Sequence, residues 1–130
     1  MTGPIPNLWP ENFGESDKLT PVSILKQQGV YLGQKTNNLV IGEVRSLAGA
    51  DFVRHFFELS APLMGYNHSL FYIEHDPVKL YPVEIKSRGG VLGPEGKADT
   101  PDQFLAELKE ILNSENTKQI IQSLIAQSRS

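Results

Sequence analysis

The sequence predicts an α+β domain: a four-stranded antiparallel meander with one N-terminal helix and a C-terminal pair of helices. Residues 69–86 alternate apolar and polar side chains on either side of Asp76 and Pro77, as a half-buried hairpin does. Two further strand-like segments precede this hairpin, and helix-start signals lie before and after the block. Because short connections join the four strands, antiparallel neighbours are expected.

Residues 1–19 form a predicted arm ahead of a single domain over residues 20–130. Pro4, Pro6 and Pro10, together with neighbouring glycines, exclude a helix or a central strand there. The large apolar residues of the arm are Ile5, Leu8, Trp9 and Phe13. A flexible leader seldom carries a tryptophan, so we expect part of the arm to lie on the domain or to reach a partner.

The first helix is expected to start at Thr20 and Pro21 and to end at Asn37 and Asn38. Thr20 can cap the free amides, and Pro21 stands where a missing N–H costs nothing. Gly29 lies on the apolar face of this helix and weakens it, which indicates either close packing against the sheet or a local break.

The first two strands are expected over residues 39–46 and 52–60, and a loop after Pro62 leads to the hairpin. Pro82 lies inside the predicted fourth strand. A proline cannot donate to a ladder, so this strand is expected to be an edge or to be bulged. Residues 88–99 are expected to be a loop because they are rich in glycine.

The last two helices have clear start signals. Thr100 is a cap residue followed by proline, an acid in the first turn and Gln103 at the capping-box position. Ser114 is a second cap, and regularly spaced isoleucines and leucines follow it. The C-terminal third is therefore predicted to be a helical pair.

The second strand has no plainly solvated side. One side carries Val53, His55, Phe57 and Leu59, and the other carries Phe52, Arg54, Phe56 and Glu58. Both sides need cover, either from helices on opposite sides of the sheet or from helices on one side and a second copy of the chain on the other.

If the meander is in register, the aromatic and charged side of the second strand extends across the hairpin. We call this set the mixed face; it comprises Phe52, Arg54, Phe56, Glu58, Tyr72, Glu74, Glu84 and Lys86. Together with Trp9 it is the candidate interaction surface. Cross-strand charge pairs on an ordinary exposed sheet would produce the same pattern.

The composition excludes several classes of function. The net charge is −3, and the lysines and arginines are scattered along the chain. Nucleic-acid backbones and anionic membranes select clustered cations, so neither is an expected partner. Cysteine is absent, no apolar run approaches the roughly 20 residues that span a bilayer, and residues 1–10 do not resemble a secretory signal. A cytoplasmic location is expected.

Asp76 is followed by Glu84 and Lys86 on the next predicted strand, and this order resembles the metal site of restriction-type PD-(D/E)xK nucleases. The resemblance implies acids that hold a divalent cation and a lysine that steadies the attacking water or the phosphate charge. No basic surface accompanies it. A divalent-metal-dependent hydrolase, or a small-ligand binder around residues 69–88, is the alternative function that this motif indicates.

The remaining motifs do not support catalysis. His75 stands between Glu74 and Asp76, but neighbouring strand residues point to opposite faces, so a hydrogen-bonded, partly buried histidine is expected instead of a metal site. The glycine-rich loop departs from the spacing of a phosphate cradle, and no serine has a base at a recognisable spacing. The sequence favours a non-catalytic protein-interaction or self-associating module, with a protein partner or a homo-oligomer and no cofactor.

Overall fold

A computed structural model describes residues 3–14, 19–87, 90–91 and 96–130, and its architecture is the predicted α+β class. The helices are α1 (Pro21–Lys35), α2 (Pro101–Leu112) and α3 (Glu115–Ser128). The long strands are β1 (Ile41–Ala48), β2 (Val53–Ala61), β3 (Tyr66–His75) and β4 (Val83–Ser87). The two-residue strands β5 (Gly90–Val91) and β6 (Lys97–Ala98) follow β4.

The four long strands form the predicted antiparallel meander in the order β1-β2-β3-β4. The expectation that the fourth strand is an edge or bulged at Pro82 is wrong. β4 begins at Val83, after the proline, so no ladder bond is lost. β5 and β6 pair with its other side, so part of the predicted loop over residues 88–99 is strand.

Parts of the predicted arm and loop lie outside the described residues, namely 1–2 and 15–18 in the arm and 88–89 and 92–95 in the loop. The predicted loop between β2 and the hairpin is shorter than expected. A single-turn helix over Pro62–Met64 and Gly65, at φ 61°, connect β2 directly to β3, which begins at Tyr66.

All three predicted caps are confirmed. The side chains of Thr20, Thr100 and Ser114 each accept a hydrogen bond from a backbone N–H in the first turn at 3.2 Å. α1 ends at Lys35, and the following Asn37 and Asn38 adopt left-handed φ values of 53° and 63°. Asparagine tolerates that conformation better than most residues, which explains why the helix stops here.

Gly29 packs closely against the sheet and α1 is unbroken there. A Cβ added at Gly29 would collide with the backbone carbonyl of Gly42 in β1, and one added at Gly42 would collide with the ring of Phe57. The first of the two alternatives for Gly29, close packing, is confirmed.

The three helices contribute to one hydrophobic core on one side of the sheet. Its largest fully buried side chains include Leu25, Phe57, Leu59, Phe71, Ile73, Ile85 and Phe104. The alternative of helices on opposite sides is therefore wrong. Within the described residues the fold has two layers, and no helix covers the mixed face.

Candidate functional site

The mixed face lies on one side of the sheet, although a register shift between Phe57 and Glu58 interrupts the pairing of β2 with β3. β2 and β3 are in register so that Arg54 lies opposite Glu74 and Phe56 lies opposite Tyr72. The rings of Phe56 and Tyr72 are 5.2 Å apart between centroids. Phe52 precedes β2, and its ring lies beneath the guanidinium of Arg54 at 4.3 Å. The three aromatic side chains therefore share one side of the sheet.

The charged side chains of the mixed face form a row of ion pairs, alternating positive and negative, across β2, β3 and β4. Arg54 Nε donates to Glu74 Oε1 at 2.6 Å, Lys86 Nζ lies 3.6 Å from Glu74 Oε2, and Lys86 also meets Glu84 at 3.2 Å. The hydrogen bond from Arg54, with a further contribution from Lys86, holds the pKa of Glu74 below its usual value. The bond to Glu84 raises the pKa of Lys86.

Arg45 in β1 also belongs to this surface, and sequence reasoning missed it. Its Nε donates to Glu58 at 3.2 Å, and its guanidinium lies 4.4 Å from the centre of the Phe56 ring. The signal that could have found it is the register of β1 on β2, which places Arg45 opposite Phe56. Two arginines thus cover aromatic rings on this side of the sheet.

The positive charges of this surface are therefore paired with acidic side chains of the same sheet. Arg45, Arg54 and Lys86 all have an acidic partner within the sheet. The cross-strand pairing that was left open as an explanation accounts for the charges. A partner placed here would gain little from electrostatics, because new ion pairs would replace existing ones.

Two histidines form a buried pair on the core side of the sheet. Nε2 of His55 lies 3.3 Å from Nε2 of His75. Nδ1 of His75 faces the carbonyls of Asp76 and Lys79 at 2.8 and 3.2 Å, so it must carry the proton. His55 then donates from Nε2 to His75.

The other ring nitrogen of His55, Nδ1, accepts a further hydrogen bond. Ser46 donates its hydroxyl proton to His55 Nδ1 at 2.7 Å. Burial, with smaller contributions from His75 and Lys26, lowers the pKa of His55 to about 4. A base of that strength does not activate a serine hydroxyl near neutral pH. The expectation of a hydrogen-bonded His75 is confirmed, but the residue is buried, at 8% exposure, instead of partly buried, and its pairing with His55 was not predicted.

The residues that resemble a nuclease motif have separate structural roles. Asp76 Oδ1 accepts hydrogen bonds from the backbone N–H groups of Val78 and Lys79 at 2.9 and 3.2 Å, which closes the turn between β3 and β4. Glu84 pairs with Lys86. Across residues 3–14, 19–87 and 96–130, no three histidine or acidic side chains converge on a position that could hold a metal ion.

Residues 3–14 of the arm do not lie against the domain, whereas Leu19 at its end accepts a hydrogen bond from the hydroxyl of Tyr81. Every residue from 3 to 14 is exposed. The exposed fractions are 93% for Ile5, 86% for Leu8, 73% for Trp9 and 78% for Phe13. The rings of Trp9 and Phe13 contact each other at 5.7 Å. The arm thus touches its own domain at Leu19, and a contact of residues 3–14 with a partner stays a prediction.

Comparison with protein-family models, with curated protein sequences and with solved structures found no significant match to this chain. None of the helices in the described ranges has the length and apolar character needed to cross a bilayer.

Proposed function

We propose that this chain is a non-catalytic protein-interaction module whose N-terminal arm is the contact element. The observation that carries the proposal is the exposure of four large apolar side chains, at 73–93%, within residues 5–13. Single exposed apolar residues are common on protein surfaces, but a contiguous group of them indicates an interaction site.

The energetics favour burial of these side chains on another surface. Burying a side chain of this size contributes about 1.5–3 kcal/mol. The prolines of the arm restrict its backbone in the free state, so ordering it on a partner costs less entropy than ordering a flexible segment would. An extended, proline-restricted segment with apolar anchors has the properties of a docking peptide.

The arm is a better candidate than the mixed face. The aromatic rings of the mixed face are already covered by Arg45 and Arg54, and its charges are paired. Among the residues that the structure describes, the one aromatic contact of the Trp9 and Phe13 rings is with each other. A partner would therefore gain more apolar burial from the arm than from the sheet.

A photo-crosslinking residue at position 8 tests this proposal. In purified protein and in concentrated extract it is expected to give a discrete, saturable adduct, because Leu8 is adjacent to Trp9 at the contact. The matched control is the same probe at position 78, where Val78 is 88% exposed in the turn between β3 and β4. Trp9→Ser should abolish the adduct from position 8.

The proposal is contradicted if position 8 yields no adduct above the background of position 78. It is also contradicted if the adduct from position 8 survives both Trp9→Ser and Phe13→Ser, since the apolar anchors would then contribute nothing to the contact.

A further inference from the structure

An apolar groove opens on the helical side of the domain, between α1, α2 and α3. Its floor is formed by Phe57 and Leu59, and its walls by Leu32, Leu108, Leu112 and Ile121. The volume is about 470 Å³. This is in the range of cavities that accommodate a small ligand or a few side chains. Sequence reasoning did not find the groove, because its walls come from α1 and from the α2–α3 pair, which lie far apart in the chain.

The rim of the groove carries two lysines. Lys35 in α1 and Lys109 in α2 both line the groove and are exposed. Within the described part of the chain, neither takes part in an ion pair. An occupant that fits this site has apolar side chains for the floor and a negative charge for the rim.

The arm has this chemistry. Glu11 is the sole charged residue in the segment 3–14, and it lies between Trp9 and Phe13 in the sequence. The two rings already contact each other, so they can enter the groove as one unit. Their carboxylate neighbour would then face the lysines at the rim.

A second copy of the chain is a better donor of the arm than the same copy. The hydroxyl of Tyr81 donates to the carbonyl of Leu19 at 2.9 Å, which fixes the arm at the start of α1, whereas the groove lies along the second half of that helix. The groove begins at Gln28, about 14 Å from Leu19 along α1, and the connection from Phe13 to Leu19 can span about 20 Å, so the arm is long enough to reach its own groove. In the structure of the single chain it does not occupy that groove, because residues 3–14 are all exposed.

We propose that the arm of one copy seats Trp9 and Phe13 in the groove of a second copy, with Glu11 facing Lys35 and Lys109. This inference rests on the proposed function and names the partner. Two arms exchanged around a two-fold axis fill both grooves and give a closed dimer. The contact is isologous, so no further copies are recruited.

The test uses Trp9 as a built-in probe, because the chain contains one tryptophan. The intact protein is diluted from about 1 mM to about 1 μM, a range that brackets weak to moderate affinities. Tryptophan emission and acrylamide quenching are followed alongside sedimentation equilibrium. At high concentration we expect a dimer with blue-shifted, protected Trp9, and at low concentration a monomer with exposed Trp9.

Charge-reversal variants test whether the arm binds at the rim of the groove. Lys35→Glu with Lys109→Glu is expected to weaken dimerisation about tenfold, since the two rim pairs in each of the two grooves are replaced by repulsions. Adding Glu11→Lys should restore dimerisation. The matched control is Lys79→Glu, which reverses an exposed lysine in the turn between β3 and β4 and should change nothing. All these positions are exposed, so the domain is expected to stay folded.

Three results would overturn the inference. A monomer in which Trp9 is protected at every concentration would place the arm on its own chain. A monomer with exposed Trp9 throughout would exclude the second copy, while an adduct from position 8 to another protein would leave the proposed function standing. A dimer that is insensitive to the charge reversals, or that Glu11→Lys does not restore, would place the contact elsewhere.

Discussion

Phe56 and Phe57 are neighbours in β2, yet they lie on opposite sides of the sheet in different surroundings. Phe57 faces Phe71 at 5.4 Å, is 1% exposed and is covered by the helical layer. Phe56 faces Tyr72 at 5.2 Å and is covered by the guanidinium of Arg45. Each pair of rings is thus covered, by helices on one side of the sheet and by charged side chains on the other. Residues 3–14 of the arm have neither kind of cover, which is why we assign the interaction to them.

The largest difference in unfolding free energy between the two sides of the sheet is expected when the ring of Phe57 or of Phe56 is removed. Phe57→Ala is expected to cost about 3–5 kcal/mol of unfolding free energy, because it leaves a cavity in the core. Phe56→Ala is expected to cost about 1–2 kcal/mol, since its site is partly open to water. Urea denaturation measures both, and Phe57→Leu, with an intermediate loss, guards against a variant that does not fold. Equal losses for Phe56→Ala and Phe57→Ala would contradict the comparison.

Acidification should destabilise the core side first. The pKa of His55 is lowered to about 4 in the folded protein, against 6.5 when unperturbed, so the unfolded chain binds the proton first as the pH falls. The stability present above pH 6.5 is therefore lost as the pH falls to about 4, by about 3 kcal/mol. Urea unfolding at several pH values measures this loss.

His55→Gln is the control for the acid transition, because glutamine can still hydrogen-bond but does not titrate. Its stability should be nearly flat where the parent loses stability. If the variant retains the full pH dependence between pH 6.5 and 4, another group is responsible. The lowered pKa of Glu74 on the mixed face contributes in the same direction, since the stability it adds is lost only as the pH falls through its folded value, below its ordinary 4.5.

The smallest effect is expected within the mixed face itself. Glu74 contacts both Arg54 and Lys86 and its side chain is 21% exposed, whereas Glu84 contacts Lys86 alone and is 54% exposed. Glu74→Gln should therefore cost about 1 kcal/mol, and Glu84→Gln close to nothing. Urea denaturation at low and high salt is the measurement, and the loss for Glu74→Gln should shrink with salt. A larger loss of unfolding free energy for Glu84→Gln than for Glu74→Gln would show that these ion pairs are wrongly assigned.

Local patterns were sufficient to predict much of this fold. The pairing of Phe56 with Tyr72 needs a register shift between Phe57 and Glu58, but the caps at Thr20, Thr100 and Ser114 depend on side chains within one turn, and the alternation within each strand depends on neighbouring residues. These signals are local because the hydrogen bonds or periodicities that produce them lie within a few residues.

The features that were missed depend on contacts between distant segments. Arg45 joins the mixed face through the register of β1 on β2, and His55 meets His75 across two strands. The groove requires the packing of α1 against α2 and α3, which residue spacing does not specify. The position of Pro82 just before β4 could not be fixed because strand boundaries are set by pairing with β3 and β6.

Hydroxyl-radical footprinting of the intact protein at low and high concentration tests the central claim most directly, since it reports on the arm and the mixed face in one sample. Oxidation of Trp9 and Phe13 is expected to fall as the concentration rises, while oxidation of Phe56 and Tyr72 stays constant. Protection of Phe56 and Tyr72 with no change at Trp9 would contradict the account, because the sheet would then be the contact surface and the arm would not.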